Sequence, residues 1–212
     1  RRGSSFLPFS VAGLLVWGRV FWLENNKRKG NEIMVIRNAK KEDVKRAIEL
    51  ILLALGEYKY VLSGCKKEGE VVARFEEYLL SEKGRYSYRN FAIADHKDRV
   101  IGVINYYNSD DVEELNQHLF ECLQENSPET TTFEAEWEPG EFYLDSLAVD
   151  PAYRGRGVAK KLIEYAEKVG RQRGMTIMSL IVLERKHKAY WLYRRLGFHM
   201  KLFKKLYGED YK

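Results

Sequence analysis

The chain of 212 residues is long enough for about one to one and a half typical domains and for a proper hydrophobic core. With 45% hydrophobic and 32% charged residues, four prolines and a net charge of +5, its composition is that of a soluble globular protein and excludes a low-complexity chain. Its two cysteines, Cys65 and Cys122, match no disulfide scaffold, metal site or redox motif, so we expect a cytoplasmic protein in a reducing setting.

The N-terminal segment differs from the rest of the chain. Residues 6–23 are apolar apart from Ser10 and Arg19, and this stretch is just long enough for a membrane span of about 17–25 residues. A proline and two glycines interrupt it, and no small-residue cleavage site follows. We therefore assign residues 1–33 to an appendage, either non-native or buried against another subunit of a homodimer, with a membrane anchor as the less favoured alternative. Residues 34–212 form the folded domain.

Hydrophobic periodicity predicts strands and helices throughout that domain. In chain order it predicts a strand at 35–37, helices at 40–58 and 70–80, a hairpin of strands at 91–94 and 100–107, a helix at 111–124, a strand at 142–149, a helix at 158–173, a strand at 176–183, a helix at 187–196 and a last strand at 198–206. This order predicts an α/β fold in which helices cover a mixed central sheet, with a helical insert between the third and fourth strands.

The insert is strongly acidic. Residues 110–141 contain eleven Asp and Glu and no Lys or Arg, whereas the remainder carries 36 basic against 20 acidic residues. Such a division allows one part of the protein to bind a polyanion while another attracts a cation, although a charge run can also be an ordinary solvated face. The basic residues are scattered, and no aromatic-basic RNA motif or recognition helix accompanies them. We therefore expect no nucleic-acid binding.

The strongest chemical signal lies between the fourth strand and the helix that follows. The connection reads Asp150-Pro-Ala-Tyr-Arg-Gly-Arg-Gly157, so two glycines and two arginines lead directly into the helix. The first amides of a helix have no intrahelical acceptors, and glycine lets a bulky anion approach the backbone closely. This pattern is typical of a pyrophosphate site. The Gly-Lys-Ser/Thr ending of a nucleotide P-loop and the third glycine of a dinucleotide fingerprint are both absent.

Two motifs at a fitting distance carry a family resemblance. Arg154, Gly157 and Ala159 fit the pattern Arg/Gln-x-x-Gly-x-Gly/Ala, and the helix-to-strand turn reads Ala189-Tyr-Trp-Leu-Tyr-Arg-Arg-Leu-Gly-Phe198. The chain therefore resembles the GNAT superfamily of acetyl-CoA-dependent N-acetyltransferases. The resemblance implies a GNAT-like, mostly antiparallel sheet, acetyl-CoA as co-substrate, and direct attack by a primary amine in a ternary complex. A catalytically silent acyl-CoA-binding regulatory module is the alternative.

The resemblance also implies which residues contact the cofactor. The main chain of the fourth strand would contact the pantetheine and acetyl group, and the following loop would hold the pyrophosphate. These expected contacts are Leu147, Ala148, Val149, Arg154, Gly155, Arg156, Gly157, Val158 and Ala159. Lys186 stands where many relatives have Asn; it can still reach a carbonyl or a phosphate, but it cannot act as an acceptor.

Proton transfer needs an acid and a base. The resemblance implies Tyr193 as the general acid near the thioester sulfur, with ordinary aromatic packing as the alternative. Strand alternation places one set of side chains on one face: Glu141, Tyr143, Asp145, Leu147 and Val149. If that face lines the acceptor cleft, either carboxylate can be the base, unless both are merely solvated or capping groups. Histidines without acidic or cysteine partners indicate no metal site.

The acceptor is predicted from charge. The acidic insert lies next to the place where an acceptor must enter, and a negative rim concentrates cationic amines. We therefore expect a primary amine on a cationic small molecule or peptide.

Overall fold

The computed structural model of the chain describes residues 14–20, 34–125, 127 and 133–204. Its strands are β1 (Leu14–Val20), β2 (Met34–Asn38), β3 (Phe91–His96), β4 (Arg99–Asn108), β5 (Glu141–Val149), β6 (Ile177–Leu183) and β7 (His199–Lys204). Its helices are α1 (Val44–Leu55), α2 (Tyr58–Ser63), α3 (Glu68–Leu80), α4 (Val112–Leu123), α5 (Val158–Gln172) and α6 (His187–Arg195). In these ranges no helix has both the length and the apolar character needed to cross a membrane.

The strands form one sheet in the order β2-β3-β4-β5-β6-β1-β7. All neighbours are antiparallel except β5 and β6, which run parallel. The predicted fold class, a mixed and mostly antiparallel sheet flanked by helices, is therefore confirmed. Helix α4 lies between β4 and β5 in the chain, where the sequence predicts the acidic helical insert.

Strand β1 is absent from the predicted elements. It pairs antiparallel with β6 on one side and with β7 on the other. An apolar run of this length does not by itself distinguish a strand from a buried helix or a membrane span, which is why periodicity missed it. Residues 14–20 of the predicted appendage thus lie in the same sheet as the strands of the folded domain. Residues 1–13 and 21–33 lie outside the described residues, so their membrane or subunit contacts stay predictions.

The first predicted helix, at 40–58, is divided in the structure. A short 3-10 turn precedes α1, and α1 ends at Gly56, whose φ of 59° is in the region that favours glycine. Its backbone N–H closes the last turn by bonding the carbonyl of Leu52 at 3.1 Å. The chain then continues as α2, and the last residues of α1 line the cavity described below.

Helix α5 packs closely on the opposite face of the sheet from α1. Its buried stripe includes Val158, Leu162 and Ala166. Glycine at 102 in β4 permits this approach, because a Cβ there would lie 3.0 Å from Cγ1 of Val158 and 3.1 Å from Cδ1 of Leu162. Close packing fixes the N-terminus of α5 against the end of β5.

A β-bulge in β5 changes which side chains share a face. Asn105 of β4 pairs with Ser146, but the next residue, Tyr106, pairs with Leu144, so Asp145 is an extra residue in β5. The alternation predicted from the sequence for Glu141 to Val149 is therefore wrong. Tyr143 packs with Tyr107 on the α4 side, whereas Leu147 and Val149 pack on the α5 side.

Candidate active site

The central sheet opens between β5 and β6. The two strands form ladder pairs only at Glu141–Ile177, Phe142–Met178 and Tyr143–Ser179, and they then diverge. A cavity of about 1100 Å³ occupies the gap, with residues 146–149 of β5 on one wall and residues 181–183 of β6 on the other. The end of α1 contributes Leu53, Ala54 and Leu55, none of which was predicted from the sequence as a site residue.

The N-terminus of α5 lies at one end of this cavity. Gly155 and Gly157 have φ values of 76° and 81°, and nothing lies within 4 Å of the position that a Cβ would take at either residue. The first intrahelical bond runs from Lys161 N–H to the Gly157 carbonyl, so the preceding amides of the helix have no intrahelical acceptor. The backbone and the space around it fit a pyrophosphate.

The loop before α5 is held by a charged cluster. Oδ1 of Asp150 accepts the Ala152 amide at 2.9 Å, and Oδ2 accepts from the guanidinium groups of Arg46 and Arg99. The hydrogen bond from the Ala152 amide lowers the pKa of Asp150 most, and the charges of the two arginines lower it further, although burial acts in the opposite direction. Nε of Arg154 donates to the Val149 carbonyl at 3.1 Å.

Most of the predicted cofactor residues line the cavity. They are Leu147, Ala148, Val149, Arg154, Gly155, Gly157, Val158, Ala159 and Lys186. Arg156 is not among the lining residues; its guanidinium lies 5.3 Å from the centre of the Tyr153 ring. Nζ of Lys186 donates to the Ala54 carbonyl at 3.4 Å, and desolvation together with the Arg185 charge lowers its pKa.

Basic and acidic side chains line different parts of the cavity. Basic side chains reach its wall from the connections before α5 and α6 and from these two helices; they are Arg154, Lys160, Arg185, Lys186, Lys188 and Arg195. Its acidic lining residues within the described ranges are Glu136 and Asp145. One end is therefore suited to a polyanion, and the middle of β5 presents negative charge.

Tyr193 lies on α6 and lines the cavity. Its ring packs edge-on against Phe198, with 5.7 Å between the ring centres. Desolvation raises the pKa of Tyr193 to about 12, so its hydroxyl is protonated at neutral pH. The side chain therefore both packs against Phe198 and lines the cavity.

Asp145 lies on the wall formed by β5, and its side chain is only 5% exposed. Oδ1 accepts from the Tyr86 hydroxyl at 3.2 Å and from Ser146 Oγ at 2.8 Å, and Oδ2 accepts from the Tyr107 hydroxyl at 2.7 Å. Nε of Arg85 is 3.9 Å from Oδ2. A carboxylate has about four lone-pair positions, so Oδ2 retains one for a proton.

Glu141, the other predicted base, is not brought to the cavity. It is 1% exposed and is not among the lining residues. Its carboxylate accepts from Lys201 Nζ at 2.9 Å, from Ser179 Oγ at 2.7 Å and from the Glu138 amide at 3.0 Å. These bonds join β5, β6 and β7 at the end of the sheet where β5 and β6 are still paired, outside the cavity lining.

Several charged lining residues were not predicted from the sequence, and Glu136 and Arg85 are two of them. Glu136 lines the cavity and accepts from the Tyr143 hydroxyl at 2.6 Å, and Arg85 lines the cavity from the loop after α3. Neither belongs to a motif, and each reaches the site through the fold alone. Among the described residues, His, Cys, Asp and Glu side chains form no group of three that could hold a metal ion.

Comparison with known proteins agrees with this architecture. Residues 49–198 match the model of the Acetyltransferase (GNAT) family. Thialysine N-epsilon-acetyltransferase of Bos taurus is 34% identical over 61 residues, which are 29% of this chain and 36% of that protein. The corresponding protein of Sus scrofa is 36% identical over 61 residues, with the same shares. The chain thus spans about a third of the length of these curated relatives.

Solved structures share the fold. An N-acetyltransferase from Staphylococcus aureus Mu50 superposes with a TM-score of 0.67 at 21% identity, covering 82% of this chain and 94% of that one. A further acetyltransferase gives 0.65 at 24% identity, covering 82% and 100%. An aminoglycoside N-acetyltransferase in complex with CoA gives 0.55 at 18% identity, covering 86% and 99%.

Proposed function

Because the chain belongs to the acetyltransferase (GNAT) family, we propose that it is an acetyl-CoA-dependent N-acetyltransferase acting on a primary amine. The observation that carries the proposal is the divergence of β5 and β6 after three ladder pairs, which opens a cavity leading to the N-terminus of α5. A site for a long thioester and a pyrophosphate needs such an opening in the sheet, next to free helix amides.

The connection from β5 to α5 would hold the pyrophosphate. Gly155 and Gly157 leave the space that a side chain would fill, and the helix amides and Arg154 supply donors and positive charge. The exposed edge of residues 147–149 would bind the pantetheine arm through main-chain groups. Acetyl-CoA, when bound, supplies the activated acetyl thioester.

Side chains that line the cavity would carry out the proton transfers. A protonated amine is not a nucleophile, so it must lose a proton before it attacks in the ternary complex. We assign that proton to Oδ2 of Asp145, directly or through water. The Tyr193 hydroxyl, kept protonated by its desolvated position, gives its proton to the departing thiolate.

The acceptor is inferred to carry positive charge. Asp145 and Glu136 are acidic and line the cavity, and the relatives from Bos taurus and Sus scrofa are named for acting on thialysine. Of the acids in the 110–141 segment, Glu136 is the one that lines the cavity among the described residues. We therefore place attraction of the cation in the cavity itself rather than on the helix of the acidic insert.

The free thiols Cys65 and Cys122 are in keeping with a cytoplasmic setting.

A coupled assay tests the proposal. The purified chain is incubated with acetyl-CoA and a panel of diamines, amino acids and basic peptides, and CoA release and acetylated product are both measured. We expect amine-dependent product, with Tyr193→Phe strongly impaired. CoA binding by calorimetry without amine-dependent product from any acceptor would favour a silent acyl-CoA-binding module.

A further inference from the structure

Arg85 is a buried cation with unused donors. Its side chain is 1% exposed, and neither Nε nor Nη1 has a hydrogen-bond partner among the described residues. Nη2 makes one long bond, 3.5 Å, to the Tyr86 hydroxyl. A guanidinium carries five N–H donors and cannot be deprotonated in a protein, so most of its bonding capacity remains open.

Few hydrogen-bond acceptors surround the guanidinium of Arg85. The closest carboxylate, Asp145, approaches Nε only to 3.9 Å, outside hydrogen-bond distance, and three hydroxyl groups already bond to it. The rings of Tyr86 and Phe133 lie 5.1 and 5.2 Å from the guanidinium carbon. Such ring contacts offset part of the charge of the guanidinium but do not give Nε and Nη1 a hydrogen-bond acceptor.

Arg85 lines the acceptor part of the cavity. It reaches the wall from the loop between α3 and β3, its Nε lies 3.9 Å from Oδ2 of Asp145, and Glu136 lines the same cavity. The other basic lining residues come from the connections after β5 and β6 and from α5 and α6, where a bound polyanion would account for them. Arg85 is therefore a separate cationic element, close to the assigned base.

We propose that Arg85 is the binding site for a carboxylate on the acceptor, which is then an amino acid-type amine. A carboxylate offers two acceptor oxygens and matches guanidinium donors in geometry and charge. An acceptor with a carboxylate and a second ammonium group complements the one cation and two carboxylates, Asp145 and Glu136, in this part of the cavity. The assignment rests on the proposed amine acetylation and names its substrate class.

The test uses two acceptors that differ only in the carboxylate. Lysine and cadaverine have the same pair of primary amines on a five-carbon spacing, and cadaverine lacks the carboxylate. We expect the wild-type kcat/KM to be at least tenfold higher for lysine, through a lower KM. Arg85→Gln should abolish this preference by raising the KM for lysine, while the KM for cadaverine changes little. Wild-type ratios near one, or a preference that persists in Arg85→Gln, would overturn the proposal.

Controls separate binding from folding. Arg89→Gln alters an exposed arginine of the same loop, which pairs with Glu82, and should keep the lysine preference. If Arg85→Gln does not fold, as circular dichroism would reveal, the wild-type comparison of lysine with lysine amide still decides, with equal KM values counting against the site. If no amine is acetylated, calorimetry of lysine and cadaverine on the CoA-loaded protein replaces kinetics. Tighter binding of lysine would then support the Arg85 site despite failure of the proposed reaction, and equal binding would refute it.

Discussion

The Tyr107 hydroxyl donates a 2.7 Å hydrogen bond to Oδ2 of Asp145, from β4 to the bulged residue of β5. Burial, together with the Asp145 charge, holds the pKa of Tyr107 well above its ordinary value, so this hydroxyl stays a donor at any physiological pH. The bond fixes the orientation of the carboxylate. It leaves the second lone pair of Oδ2 for the amine proton.

Asp145→Asn should impair the chemical step. The amide keeps the shape of the side chain but cannot take a proton, so we expect kcat/KM to fall by about 10²–10⁴-fold. CoA affinity should change little. Steady-state kinetics and calorimetry check both, with Asp98→Asn in the β3–β4 turn as the matched control. Equal activity of Asp145→Asn and wild type would remove Asp145 as the base.

Tyr193→Phe should slow the release of the thiolate. Loss of the proton donor is expected to lower kcat by about 10²-fold, while the edge-on packing against Phe198 is retained. Because the pKa of Tyr193 is about 12, a descending limb from this residue appears in the wild-type pH profile only near pH 12. Tyr190→Phe on the same helix, outside the cavity lining, is the control. Equal kcat values for Tyr193→Phe and the wild type would contradict this account of the acid.

Gly157→Ala should weaken CoA binding and stability together. The φ of 81° strains any L side chain there by about 1–2 kcal/mol, and the methyl group would enter the space assigned to the pyrophosphate. Gly69→Ala in α3 is a matched control, since its Cβ also meets nothing within 4 Å but φ is ordinary. That variant should be stabilised by up to about 1 kcal/mol. Urea unfolding and CoA titration compare the two, and similar effects of both variants would count against the loop assignment.

Glu141→Gln should affect stability rather than chemistry. The buried carboxylate accepts from Lys201 and Ser179, and loss of its charge is expected to cost about 2 kcal/mol in the free energy of unfolding. Urea denaturation measures this cost. The kcat/KM of the folded variant should remain within about threefold of wild type. A loss comparable to that of Asp145→Asn would instead restore Glu141 as a base candidate.

Local patterns predicted those parts of the molecule that local sequence determines. The stripe of α5 and the glycines before it were identified because helix periodicity and helix-end chemistry act over a few residues. The bulge at Asp145 was not, since cross-strand register with β4 decides it. Arg85 and Glu136 reach the cavity from separate loops, and no short-range signal marks their meeting. The wrong face assignment for Leu147 and Val149 has the same origin.

Where β5 turns away from β6, the sheet inside the protein is interrupted: the edge of residues 145–149 that faces away from β4 borders a cavity instead of a neighbouring strand. We expect a ligand that pairs with this edge to contact main-chain N–H and C=O groups, which do not depend on the side chains of the strand. Substitutions along the strand that keep its extended shape are thus tolerated far better than a proline, which deletes a donor. The preference for the acceptor can therefore change through side chains such as Arg85 while the proposed main-chain contacts to the acyl thioester are kept.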